Sequence, residues 1–286
     1  MPKLPAGPKG MPLFGSLGAL RRDPLGLLRD MASCGDVSYA RLGSRSLYLV
    51  NRADLIEQLL PTRRRAPSHN RLNECAETIV ACARQCAFSF RDDEVRDISQ
   101  SMRVLGAEIV AKTGFAAEAR EGADGAITGA SEVIALALTY ASYLVALHPQ
   151  VSSRLRSELD ESLASRQPLA AEPSELPFLD AIVRESLRLY PPLWTVAREL
   201  DSAIALDGYT LSAGTRVWCS PSTIQRDARY FARPNAFKPE RWFGRETAVL
   251  PRFAYFPVSA SPGLEDLDQD RFVMLAARLA LAVLTT

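Results

Sequence analysis

One segment restricts the fold of this chain more than any other. Between Ser131 and Leu147, the residues Val133, Ile134, Ala137, Leu138, Ala141, Leu144 and Val145 make a helix that is apolar on most of its sides. A helix of that kind sits in the middle of a core, so other helices must surround it. Apolar spacing predicts them over Asp23–Cys34, 71–90, 93–113, Pro149 to about Ser165, and Phe178–Tyr190, the last stopped by Pro191-Pro192. A short helix from Asp54 to Leu60 is expected to be capped near Asn51, and a final one to run from Arg271 to Leu284. The β signals are minor. Val37–Ala40 and Ser46–Val50 flank a turn at Gly43-Ser44, and short runs between Ala197 and Cys219 are divided by Asp207-Gly208 and Ala213-Gly214. Residues 1–20, broken by four prolines, read as an extended arm, and Asp227–Gly244 reads as irregular. The expected class is mostly α with a minor β-sheet.

Charge narrows the function. Lys and Arg number 34 against 33 Asp and Glu, a net charge of +1. Taken over the whole chain, that balance gives no footprint for nucleic acid and no support for a membrane-surface role. No window reaches the roughly 18 uninterrupted apolar residues of a membrane span, and the start of the chain lacks the pattern of a signal peptide. Five scattered cysteines (Cys34, Cys75, Cys82, Cys86 and Cys219) suit reduced thiols and a cytoplasmic location. Cys82 and Cys86 share a helix face, where packing is the expected role over metal binding. The run Thr62-Arg63-Arg64-Arg65 reads as a solvated helix end.

The informative motifs come in order. Glu185 and Arg188 lie three apart on one helix, within Arg184-Glu185-Ser186-Leu187-Arg188-Leu189-Tyr190-Pro191-Pro192. Arg198 follows, then Phe237-Lys238-Pro239-Glu240-Arg241-Trp242. This set resembles the cytochrome P-450 superfamily, the haem-thiolate monooxygenases. Leu4-Pro5-Ala6-Gly7-Pro8-Lys9-Gly10-Met11-Pro12-Leu13-Phe14-Gly15 resembles the family's proline-rich hinge, His148-Pro149 the junction after its central helix, and Gly208-Tyr209 with Ala213-Gly214-Thr215 its small sheet. The resemblance implies a shortened domain of that fold over 1–286. Residues 1–60 would form the arm and small β part, and 127–286 the core helices. It also implies that Glu185, Arg188 and Arg241 form a structural lock, in which two guanidiniums hold one carboxylate, and that Arg198 holds a haem propionate.

The reactive positions depart from the family. The resemblance places an axial cysteine between Phe256 and Phe272. Counting forward from Phe256 puts Glu265 there, counting back from Phe272 puts Leu267 there, and no cysteine follows Cys219. Thiolate ligation is what favours O–O cleavage on haem iron. Glu265, Asp266, Asp268 and Asp270 add negative charge where the resemblance places anionic propionates. Glu132 retains the acid of the oxygen-activating helix, but Val133 stands where a hydroxyl relays protons. Stretches after Leu60 and between Phe115 and Gly125 are short for the family, which would leave apolar faces for a protein partner or an oligomer to cover. The expectation is a haem-free helper or decaying gene product without thiolate catalysis. The alternative is an active haem monooxygenase that takes electrons from a redox partner and oxidises an apolar small molecule.

Overall fold

The computed structural model describes residues 4–11, 14–60, 69–114, 129–163, 176–258 and 267–286. In chain order, the first elements are α1 (Leu17–Arg22), α2 (Pro24–Ser33), β1 (Val37–Leu42), β2 (Arg45–Val50) and α3 (Ala53–Leu59). The long helices follow: α4 (His69–Phe88), α5 (Ile98–Thr113), α6 (Ala130–Leu147), α7 (Pro149–Leu163) and α8 (Pro177–Leu189). Then come β3 (Val196–Glu199), β4 (Ile204–Leu206), β5 (Tyr209–Leu211), β6 (Arg216–Cys219), α9 (Pro221–Ile224), α10 (Arg245–Ala248) and α11 (Leu267–Thr285), with 3-10 turns at Pro239–Phe243 and Arg252–Ala254. The class is mostly helical with a small mixed sheet. The chain divides into two compact units. One holds 1–63, 193–236 and 249–265, the other 64–192, 237–248 and 266–286.

The first unit is built on a sheet of order β1-β2-β6-β3. β1 and β2 run antiparallel from Val37 opposite Val50 to Leu42 opposite Arg45, and β2 lies parallel to β6 with Tyr48 against Val217. Strand alternation sends the two sides of the sheet into different cores. Ala40, Leu47 and Leu49 meet Leu27, Leu28 and Met31 of α2, while Val37, Val50, Val217 and Cys219 pack with Leu55, Ile56 and Leu59 of α3. β4 and β5 form a separate hairpin in which Asp207 and Gly208 both have positive φ (49° and 79°), as a two-residue turn of the primed type requires.

Two expectations for this unit need correction. The proline-rich arm ends earlier than residue 20. After Pro12 no proline opposes a helix, and α1 forms at Leu17. Asn51 does not cap α3, because its side-chain oxygen accepts a bond from Thr223 Oγ1 at 2.7 Å instead.

The second unit surrounds α6, which packs against α5, α8 and α11. Nine of its 18 residues are buried. By length and mean hydropathy (1.6), α6 is apolar enough to cross a membrane, but core helices pass that test too, and half of this stretch is buried inside the structure. Gly106 of α5 faces Ser131 of α6 so closely that an added Cβ would lie 2.4 Å from the Ser131 carbonyl oxygen, so only glycine permits this approach. The helix expected from residue 93 begins at Ile98, because Asp93 is left-handed (φ 63°) and Asp97 caps the helix by accepting from Gln100 N at 3.1 Å. α11 starts four residues before Arg271, at Leu267.

Candidate functional site

The sequence-predicted residues converge most fully on α8. A three-residue separation puts Glu185 and Arg188 on one helix face, and both are wholly buried. Arg188 holds Glu185 with two bonds, Nε to Oε2 at 2.9 Å and Nη2 to Oε1 at 2.8 Å. Pro239, suited to a first turn by its fixed φ, opens the 3-10 segment that carries Arg241, whose Nε donates to Glu185 Oε1 at 2.9 Å. The structure thus brings Glu185, Arg188 and Arg241 together.

Two further donors were missed from sequence. The Lys238 backbone N–H reaches Oε1 at 3.0 Å, and the Trp242 indole Nε1 reaches Oε2 at 3.1 Å. The tryptophan was visible beside Arg241, but only the tight turn shows that both side chains point inward. A buried carboxylate with five donors has its lone pairs occupied, so this arrangement holds structure and has no free atom for proton transfer.

The rest of the turn faces outward. Glu240 pairs with Arg154 of α7 at 3.2 Å, and the Arg154 guanidinium lies 4.0 Å from the Phe178 ring centroid. Glu158 of α7 accepts the backbone N–H groups of Phe178 and Leu179 at 2.7 and 2.8 Å, which caps α8 from a neighbouring helix. Beside these residues lies an open cleft of about 380 Å³ bordered by Phe178 and Phe243. Its Arg154 and Glu158 are already paired.

The positions assigned to chemistry do not assemble in this way. Glu132 lies in the first turn of α6, partly exposed, with Arg103 Nε at 3.6 Å. Val133 beside it is buried in the core. Arg198, on β3, donates from Nη1 to the Leu59 carbonyl at the end of α3 and lies 3.5 Å from Asp201. Leu267 is the first residue of α11, whereas Glu265 lies outside the described residues, as does the basic run 62–65.

All five cysteines are free thiols, three of them buried. Cys219 is fully buried on β6, and loss of hydration pushes its thiol up to about 12, so it keeps its proton. Burial also raises the thiols of Cys82 and Cys86 on α4. Among the described residues no group of three His, Cys, Asp or Glu could hold a metal ion. The segment from Phe256 to Phe272 contains no cysteine.

Comparison with known proteins gives the context. A profile of the cytochrome P450 family matches residues 116–262, just over half the chain. Cyclooctat-9-en-7-ol 5-monooxygenase of Streptomyces melanosporofaciens is 27% identical over 238 residues, which is 83% of this chain and 45% of that protein. Cyclooctatin synthase of the same organism is 34% identical over 153 residues, 54% of this chain and 33% of the relative. Pentalenene oxygenase of Streptomyces avermitilis is 32% identical over 154 residues, 54% and 34% of the two chains. The chain therefore spans less than half the length of these curated relatives. With its profile match extending over the Glu185, Arg188 and Arg241 cluster, the chain belongs to the cytochrome P450 family.

Proposed function

We propose that this chain is a P450-family protein without haem-thiolate monooxygenase activity: a haem-free helper that keeps the family's helix-to-loop lock and acts by binding a protein partner. The observation that carries the reading is the donor set. The interval from Phe256 to Phe272 offers Glu265 in one register and Leu267 in the other, with no sulfur in either. Thiolate electron release is the protein's contribution to oxygen activation in this family, and neither a carboxylate nor an alkyl group supplies it. Val133 adds to the case, because a buried valine has no exchangeable proton for the oxygen-activating helix to relay. The five bonds to Glu185 support the other half of the reading, since they close on protein groups alone and need no cofactor to complete them.

The test is the reduced carbon-monoxide difference spectrum of the purified chain, before and after addition of haemin. The expected result is no thiolate-type band in either state. The variants Glu265→Cys and Leu267→Cys ask the same question in both registers, and a thiolate band in one of them but not in the parent supports the reading. A thiolate band in the parent overturns it. The relatives' names favour a second reading, an active haem monooxygenase on an apolar small molecule, with Arg198 on a propionate and electrons from a redox partner. It requires oxygen-dependent product formation by the unmodified chain loaded with haemin.

A further inference from the structure

The cleft beside Phe178 and Phe243 has a wall that the fold does not account for. On α7, Ser157, Glu158 and Glu161 follow Arg154 by three, four and seven residues, so all four share one helix face and line the cleft. Pro177 and Phe178 close it from the start of α8, and Phe243 from the end of the 3-10 turn. The two rings lie nearly parallel, 17° apart in plane with centroids separated by 6.4 Å. The volume, about 380 Å³, is at the low end for clefts that hold a ligand.

Three of the polar side chains there have structural duties. Glu158 caps α8 with both its oxygens, Arg154 pairs with Glu240, and Ser157 Oγ donates to the Ser153 carbonyl at 3.2 Å. Glu161 has none. It is exposed and makes no ion pair among the described residues. It also stands in the last turn of α7, where the negative end of the helix dipole disfavours a carboxylate and no basic side chain offsets it. Phe243 is the second unexplained group, a large ring left 49% exposed on a wall of charged residues. Neither arrangement serves stability. Arg154 shows what groups of this kind hold. Its guanidinium lies 4.0 Å from the Phe178 ring centroid, with Glu240 Oε1 3.2 Å from its Nη1. A ring face and a carboxylate together make a cation site. Phe243 and Glu161 supply the same two kinds of group to the same cleft. Charge agrees, since Glu158, Glu161 and Glu240 meet one guanidinium there, that of Arg154.

We propose that this cleft receives an arginine side chain of the protein partner, with the guanidinium against the Phe243 ring and paired with Glu161. The proposal rests on the helper reading, in which the chain acts by binding a partner, and it names that partner's chemistry: an exposed arginine in a basic surface segment. Arginine is selected over lysine because a planar guanidinium stacks on a ring while its edge bonds a carboxylate, which a compact ammonium does not do. A purely apolar or acidic partner would cover Glu161 without supplying a counter-charge, at a cost in desolvation.

Calorimetric titration of the full chain tests it, with acetylated and amidated tetra-arginine and tetra-lysine peptides as probes. The arginine peptide is expected to bind, and the lysine peptide to bind more weakly. Glu161→Gln and Phe243→Ser should each weaken the arginine peptide about two- to fivefold. Asp160→Asn makes the same charge change on an exposed neighbour that does not line the cleft, and it should bind like the parent. Unchanged circular dichroism and melting temperature would show that the variants are folded. Should Phe243→Ser fail to fold, Glu161→Gln against Asp160→Asn decides the matter alone. No binding of the arginine peptide overturns the proposal, as does equal affinity for tetra-lysine. Equal weakening by Glu161→Gln and Asp160→Asn also overturns it, because overall charge would then explain the binding. The two readings fail separately: a thiolate band in the parent removes the helper reading whatever the peptides do, and absent peptide binding removes the arginine site whatever the spectrum shows.

Discussion

In the first unit six charged side chains meet near the surface, whereas in the second three meet out of water. At the surface, Arg52 pairs with Asp36, Asp54 and Asp207 at 2.7–3.2 Å, and Arg229 with Asp36 and Asp227 at 2.6 Å each. In the interior, Glu185 holds Arg188 and Arg241. Both clusters tie together segments far apart in sequence, and the exposed one has more ion pairs. Exposed pairs contribute about 0–1 kcal/mol because water and salt compete for both partners. Stranding one member of a buried set costs about 3–5 kcal/mol. Dielectric surroundings, more than the number of ion pairs, therefore decide which cluster the fold depends on.

Glu185→Gln is the most severe way to test that contrast. The amide keeps the shape but leaves Arg188 and Arg241 buried without a counter-charge, so urea denaturation should show a loss of about 3–5 kcal/mol. That is a large fraction of a typical domain's stability. Replacing all three residues together, Glu185→Met with Arg188→Met and Arg241→Met, should recover much of the loss, since buried ion sets often exchange for apolar packing with little penalty. If Glu185→Gln cost no more than Arg52→Ala, the burial argument would be wrong.

Burial, and not membership of a unit, is the operative variable, and Cys219 separates the two. It lies in the same unit as the exposed cluster but is fully buried, and desolvation raises its thiol from 9.0 to about 12. The unfolded chain releases this proton above about pH 9 while the folded chain retains it. The thiol's contribution is therefore complete below pH 9 and is lost as pH rises toward the folded value, at about 1.4 kcal/mol per pH unit. Comparing denaturation of the parent and Cys219→Ala at about pH 8 and about pH 10.5 isolates this group from the other thiols. An identical alkaline decline in both proteins would remove it as the cause.

A buried group also reveals what the sequence left unread. The spacing of Glu185 and Arg188 was legible because helical period alone puts them on one face, and the all-round apolar pattern of Val133 to Val145 was legible for the same reason. The Trp242 indole bond and the Lys238 N–H bond were not, because they depend on the handedness of a 3-10 turn and not on any period. Gly106 carried no local signal either. Its necessity comes from the Ser131 carbonyl on another helix, and Gly106→Ala should cost about 1–3 kcal/mol by melting, through a backbone clash that must be relieved. The choice between Glu265 and Leu267 could not be made from spacing, since counting forward from Phe256 and counting back from Phe272 end on different residues.

The smallest effect completes the comparison from its exposed side. The Arg52 hydrogen bond is the main cause holding the Asp54 carboxyl below its usual range, with burial acting in the opposite direction. Because the folded value is the lower one, this pair contributes above the ordinary carboxylate value of about 3.9 and loses its contribution as pH falls through the depressed folded value. Arg52→Ala should therefore destabilise the chain by about 1 kcal/mol or less at neutral pH, and the difference should shrink in high salt and again at acid pH. Glu185→Gln should keep its effect in salt, because ions do not enter the core that surrounds it. If salt erased both losses alike, the Glu185 cluster would be reached by water, and the distinction between the two clusters would fail.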